Sequence, residues 1–454
     1  MDGGKFIPQN AIRGAFSDAM SRMYRGEVPL YGELLEIVDQ VNGQVLRGDP
    51  ALETSLTQAG EIERLGQERH GAIRLGTPAE LAMTRRVFAV MGLHPVGYYD
   101  LSVAGVPVHS TAFRPTESDD LNRNPFRLFT SLLRLELIED EALREEAGRI
   151  LAQRQIFSDR AIALVEQFER DGGLDAAAAD AFVQAVLETF RWREETLVDA
   201  ATYDRLLNVH RLVADVSSFK GPHINHLTPR TLDIDAAQRE MQARGMDAKS
   251  VIEGPPARAV PILLRQTSFK ALEEAIRFPG DGGKTGTHTA RFGEIEQRGV
   301  ALTPKGRALY DALLAEARDG DGGSYARRLA DIFQRFPDDL DTLRREGLAY
   351  FSYRLAGGTA PRADQPFNLE ALLASGAVEA RPIVYEDFLP VSAAGIFQSN
   401  LGTSEQRSYS ANEAQAAFEQ ALGVAVTDPF TLYEAMEQDS IAAVRAALEE
   451  QPAA

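Results

Sequence analysis

Two histidines and a glutamate sit inside dense local motifs: ERHGAIRLG around His70, GPHINHLTPR around His226 and ARFGEIEQRG around Glu294. A neutral imidazole from each of two segments plus one carboxylate can hold a divalent metal from one side. The opposite side is then open to substrate and oxygen, as at non-haem Fe(II) oxygenase sites. That donor set makes the chain a candidate oxygenase.

Each motif alone also has an ordinary reading. The chain has seven histidines, His70, His94, His109, His210, His223, His226 and His288, and an isolated histidine is more often a packing or surface residue than a ligand. Arg74 follows His70 by four, which puts both side chains on one face of a helix or a strand. An arginine beside a metal ligand would hold a carboxylate-bearing substrate against the metal; the alternative is an exposed pair at a helix end. His223 and His226 are three apart. In a helix they would share a face, but Pro222 and Pro229 favour extended chain, where only one of them enters a pocket. The residues do not choose which.

Glu294 and Glu296 share parity on a strand with Phe292 and Arg298. By itself that segment reads as a solvated strand face carrying a Glu–Arg pair. Arg265, Gln266, Thr267 and Ser268 interrupt the apolar run PILLRQTSFKA, and buried polar groups there need partners. They are either supporting groups around a site or a strand end. In YEDFLPVSAAGIFQS the small residues Ser392–Gly395 let backbone amides approach a ligand, or they form a tight turn. No GxxxxGK[ST] loop and no GxGxxG after a strand is present. GDGGKTG at 280–286 has the wrong spacing, and neither GxSxG nor HExxH occurs.

The elements that must position these residues change character along the chain. Residues 8–47 carry helical periodicity, with Ala15, Met20, Met23 and Tyr24 on one face, and Tyr31, Leu34, Leu35 and Val38 on a second helix after Pro29. Residues 51–68 and 78–91 are helical. Residues 93–115 predict two strands around a turn at Ala104–Gly105. Residues 118–200 are strongly helical with a break at Asp171–Gly173, and 203–232 mix helix with extended chain. Further strands are expected within 258–302 and 380–400, a turn at the DGDGG run within 318–323, and helices over 324–350 and 411–449. The sum is an α+β fold whose sheet is discontinuous in sequence. The whole chain, 1–454, is expected to be one catalytic unit. It has N-terminal helices over 1–68, a sheet core over 69–115 and 205–310, a helical insertion over 116–204, and a mixed region over 311–454 completing the substrate pocket.

Composition narrows the function classes. The chain has 454 residues, 44% hydrophobic and 25% charged, in the ordinary range for a globular protein. It has no cysteine, which excludes disulfides, thiolate ligands and cysteine nucleophiles. A net charge of −19 repels nucleic acid unless a basic patch exists, and Arg85–Arg86 and Arg344–Arg345 read as solvated helix faces. A small anionic substrate would therefore need a specific arginine. No apolar run of roughly 18 residues is present, so no membrane span is expected. MDGGKFIPQNAIRG does not read as a secretory signal. A cytoplasmic location fits.

Taken together and in order, HGAIRLGT, VFAVMGLHPVGYYDLS, VPVHSTAFRP, PHINHLTPR, RFGEIEQRG and FLPVSAAGIFQSNL resemble the 2-oxoadipate dioxygenase/decarboxylase family, from the first helix to about residue 405. The resemblance implies a sheet or partial barrel like that of the vicinal-oxygen-chelate metalloenzymes, with long helical additions. It implies Fe(II) held by His70, His226 and Glu294, Arg74 binding the substrate's distal carboxylate, and Val391 with Ser392 lining the pocket. Gln266, Glu296 and His223 are candidates for supporting positions. The implied reaction takes 2-oxoadipate and O2 to 2-hydroxyglutarate and CO2 in lysine breakdown. The substrate itself supplies the electrons, so no separate 2-oxoglutarate is needed. The rivals are a metal-dependent lyase, isomerase or hydrolase acting on a small 2-oxo or dicarboxylic acid, and a metal-stabilised binding protein.

Overall fold

A computed structural model of the chain describes residues 6–58, 60–249, 251–280, 283–319, 324–356, 367–389 and 404–449. Eleven strands are found among them: β1 Arg69–Leu75, β2 His94–Asp100, β3 Val108–Arg114, β4 Arg127–Leu133, β5 His226–Pro229, β6 Leu264–Ser268, β7 Glu274–Arg277, β8 Thr285–His288, β9 Glu294–Arg298, β10 Phe351–Leu355 and β11 Val378–Pro382. The class is α+β, as expected.

The central sheet has five strands in the order β2-β3-β4-β1-β5. β1 and β4 run parallel, and the other neighbours are antiparallel. The expected β2–β3 hairpin forms, with a short 3-10 turn at Ser102–Ala104 and Gly105 at φ 78°. β4 is a correction, because it lies inside the segment read as helical. Every residue of its RLFTSLL is buried, as is every residue of β3. A strand covered on both faces shows no apolar–polar alternation, so its pattern cannot be told from a buried helix. His70 stands on strand β1, which sets the helix-end alternative aside.

Helices Gln9–Glu27 and Pro29–Gly48 lay apolar stripes on the core: Ile12, Phe16, Met20, Met23 and Tyr24 from the first, Tyr31, Leu34, Ile37, Val38 and Val41 from the second. The i, i+3, i+4 spacing is that of a packed helix face. The stripes sit slightly rotated from the reading above: Ala15 is exposed and Leu35 only half-buried, with Phe16 and Ile37 in their place. Helix starts are set by side chains. Thr77, Asp140, Ser158, Asp175, Asp199 and Asp233 each accept the backbone N–H three residues on, which satisfies an otherwise orphaned donor.

The chain divides into two compact units. One comprises Met1–Glu253, Gln266–Gln297 and Pro390–Val426, as far as these are described; the other comprises Gly254–Arg265, Arg298–Leu389 and Thr427–Ala454. The first contains the five-stranded sheet and the β7–β8 hairpin. In the second, β10 pairs antiparallel with β11. There helix Pro429–Glu449 packs on β10, where Glu437 and Ser440 side chains accept the Phe351 and Tyr353 amides at 2.9 Å each.

Candidate metal centre

β1 is the strand on which the site is built. Its register with β5 sets Thr228 opposite His70 and His226 opposite Ala72. Side chains directly opposite share a face and alternate residues return to it. His70, Ala72, Arg74, His226 and Thr228 therefore rise from one side of the sheet, and Arg127, the β4 partner of His70, rises beside them. Ala72 leaves space between the two histidines, whose rings lie 5.4 Å apart and nearly perpendicular. Gly71 faces the other way, where a Cβ would stand 2.7 Å from Ile224 Cδ1 and 2.9 Å from Leu128 Cδ2. A larger residue there would require those side-chain ends to move.

β9 brings the carboxylates. Phe292 N donates to Asn225 O at 3.1 Å and Thr231 N donates to Glu296 O at 2.7 Å, so β9 lies alongside β5. Glu294 Oε1 is 3.1 Å from His70 Nε2 and 3.7 Å from His226 Nε2. It also accepts from Gln266 Nε2 at 2.9 Å and Thr228 Oγ1 at 3.0 Å. Each of His70, His226 and Glu294 offers one donor atom, and the three atoms lie within 4.8 Å of one another.

Glu296 points the same way as Glu294, and His70 stands between them. Its Nδ1 is 2.9 Å from Glu296 Oε2. The solvated strand face expected for this segment is not what forms, since Glu296 is wholly buried and Glu294 is partly buried. Behind Glu296 runs a dry chain of charges. Arg127 reaches Glu296 Oε1 at 3.4 Å and Glu68 Oε1 at 2.9 Å, while Arg64 and Arg230 both meet Glu68 Oε2 at 3.1 Å. Charges taken out of water must compensate one another, and this alternating series does so.

The electrostatics separate the two histidines. Burial works against protonating His70, but Glu296 and Glu294 outweigh it and raise its pKa. Burial pushes His226 down to about 4, with His70 and Arg74 adding to the fall against Glu294. Burial would raise Glu294, yet His226, His70 and Thr228 hold its carboxyl below the usual range. An ionised carboxylate thus faces a His226 imidazole that is neutral at pH 7.

Other residues singled out from the sequence fall in several places. Gln266 meets Glu294 and Glu296 meets His70. Arg74 is on the ligand face, its Nη1 2.6 Å from Asp215 Oδ2. His223 does not join the cluster; its Nε2 is 3.1 Å from Asp215 Oδ1. Val391 and Ser392 lie outside the described residues. Sequence reasoning missed Thr228, Arg127, Glu68, Arg230 and Asp215. Two left a trace: Arg127 is a lone charge entering an apolar run, and Thr228 has the strand parity of His226.

The residues present fit a divalent ion. Two imidazoles and a carboxylate with no thiolate suit a first-row metal. His226 Nδ1 is buried with no hydrogen-bond partner among the described residues, and His70 has a carboxylate behind it, a common arrangement for a metal-binding imidazole. Among the described residues, no helix is long and apolar enough to cross a membrane.

The class defined by fold and site is an α+β protein with a two-histidine, one-carboxylate cluster on one face of a mixed sheet. The chain belongs to the 2-oxoadipate dioxygenase/decarboxylase family, whose model matches residues 16–400. It is 56% identical over 459 residues to the 2-oxoadipate dioxygenase/decarboxylase of Pseudomonas putida, covering 99% of both chains. It is 57% identical over 441 residues to that of Escherichia coli, covering 96% of this chain and 98% of the other. The crystal structure of the hydroxyglutarate synthase from Pseudomonas putida in complex with 2-oxoadipate superposes with a TM-score of 0.92 at 56% identity, over 98% of this chain and 99% of that one.

Proposed function

We propose that this chain is an Fe(II)-dependent enzyme that converts 2-oxoadipate and O2 to 2-hydroxyglutarate and CO2, a step of lysine breakdown. The observation that carries the reading is the end-to-end 56% identity to the Pseudomonas putida enzyme. The His70–His226–Glu294 cluster gives that activity a place. The balance closes without an outside reductant: the bond between C1 and C2 breaks, C1 leaves as CO2, one oxygen atom makes C2 a carboxylate and the other becomes a hydroxyl on C3.

In this reading His70, His226 and Glu294 would hold the ion. Ferrous iron, when bound, would let O2 react with a closed-shell 2-oxo acid, which itself supplies the electrons. Glu296 would accept the Nδ1 proton of His70, which leaves the Nε2 lone pair available to the ion. Gln266 and Thr228 donate to Glu294 and fix its rotamer. Arg74, four residues along the same rigid strand, receives the distal carboxylate, with a planar fork suited to it. Val391 and Ser392 are proposed to line the same pocket.

The test is anaerobic Fe(II) loading followed by O2 uptake and CO2 release with 2-oxo acids of increasing chain length. Uptake and release in equal amounts, best with 2-oxoadipate, support the reading. CO2 release or other turnover without O2 uptake would move the chain to a metal-dependent lyase or hydrolase.

A further inference from the structure

Asp215 is a buried carboxylate that the reaction above does not use. It lies on helix Arg211–Ser218, whose start is capped by His210 Nδ1 accepting from Leu212 N. Three cationic or donor groups converge on it. Arg74 Nη1 is 2.6 Å from Oδ2. His288 Nε2 is 2.9 Å and His223 Nε2 3.1 Å from Oδ1. Behind His288, the Tyr203 hydroxyl is 2.8 Å from Nδ1. Since an ionised carboxylate only accepts, His288 presents its Nε2–H to Asp215 and leaves Nδ1 to the Tyr203 hydroxyl. Phe219 and Trp192 pack on both imidazoles, and Asp215, His223 and His288 are all buried.

Arg74 differs from its partners in being 23% exposed. Among the described residues, Asp215 makes its one ion pair. One edge of the guanidinium is therefore anchored in a dry, rigid cluster while the side chain reaches a wetter space on the ligand face of β1. A long side chain loses rotamer freedom when it captures an anion, and a pre-formed anchor removes that cost before substrate arrives.

We propose that Asp215, braced by His223 and His288, is the positioning residue for Arg74, and that this buried carboxylate sets the preference for a 2-oxo dicarboxylate over a 2-oxo monocarboxylate. The proposal rests on the reading of Arg74 as the distal-carboxylate contact. A metal in the Asp215–His223–His288 cluster is disfavoured because the Arg74 guanidinium already neutralises the carboxylate.

The experiment compares 2-oxoadipate with 2-oxohexanoate, which carries a methyl in place of the distal carboxylate. The full-length Fe(II)-loaded chain is assayed by O2 uptake, with 2-oxohexanoate as substrate or competitor. Asp215→Asn is expected to lower the relative affinity for 2-oxoadipate at least about tenfold, mainly through KM and with a smaller change in kcat. In an Arg74→Ala background the same substitution should change that ratio less than about twofold, because the two act as one unit. If Arg74→Ala keeps the parental preference, the reading of Arg74 fails and the proposal with it. If Arg74→Ala loses the preference while Asp215→Asn keeps it, or if the two losses multiply, the positioning role alone is overturned. A second equivalent of bound metal that disappears in Asp215→Asn would also overturn it. Should Asp215→Asn not fold, His288→Leu should lose the preference and His288→Gln, whose amide still donates to Oδ1, should keep it; equal behaviour of the two overturns the proposal.

Discussion

His70 Nδ1 and Glu296 Oε2 stand 2.9 Å apart on neighbouring segments of buried backbone. The other nitrogen of the ring, Nε2, lies 3.1 Å from Glu294 Oε1. Glu296→Gln keeps the shape but removes the charge that holds the proton on Nδ1. Fe(II) affinity should fall about 10- to 100-fold, read by metal titration of the purified variant. Unchanged affinity would reduce Glu296 to a packing residue.

The three donors should be individually necessary. His70→Ala, His226→Ala and Glu294→Ala are each expected to abolish stoichiometric Fe(II) binding and O2 uptake with 2-oxoadipate. Metal content and oxygen-electrode traces check this in parallel, and full activity in any one variant removes that residue from the site.

Arg74→Ala should act on substrate binding more than on turnover. A charge-assisted contact is worth roughly 1.5–3 kcal/mol, so the apparent KM for 2-oxoadipate should rise by at least about tenfold. A KM equal to the parent's would end the assignment of Arg74 to the distal carboxylate.

Gly71→Ala tests the packing behind the site. The added Cβ would press on Ile224 and Leu128 at 2.7 and 2.9 Å. Overpacking of this kind costs roughly 1–3 kcal/mol. A lower Tm is expected, with weaker Fe(II) binding if the strain moves β1 under His70; a parental Tm would show that the neighbours give way freely.

Acid should destabilise the metal-free protein through its buried neutral histidines. Burial, helped by Arg134, pushes His109 down to about 4 from an unfolded value near 6.5. The unfolded chain then binds more protons between those values, so the stability is fully present above about pH 6.5 and is lost as pH falls toward 4. Between pH 7 and pH 5 this one group accounts for about 2 kcal/mol. Denaturant midpoints at the two pH values should show the parent losing that much more than His109→Gln. His70, whose pKa is raised, works in the opposite direction and partly offsets the loss.

Much of the fold could be read from local pattern. The two N-terminal helices, the hairpin around Gly105 and the helical C-terminal segment follow from local composition, apolar spacing and glycine. β4 could not, because a strand covered on both faces loses its alternation, and its Arg127 signalled burial of a charge without saying what compensates it. Glu296 was hidden for a related reason: a carboxylate two residues from an arginine reads as solvated until the strands opposite it are known.

What the sequence determined by itself was the inventory and its local geometry. It supplied two imidazole motifs, a Glu-x-Glu segment and an arginine four residues after His70, all without a thiolate. Its motifs in order also pointed to the family. What only the tertiary structure decided was who meets whom. His226 faces Glu294 while His223 turns to Asp215, and Glu294 and Glu296 take opposite nitrogens of one ring. Arg74 leans on an acid 141 residues away. These pairings depend on the register of β1 with β5 and on β9 lying alongside β5. Register is set by which faces of distant segments are buried together, and no local window of sequence contains that information.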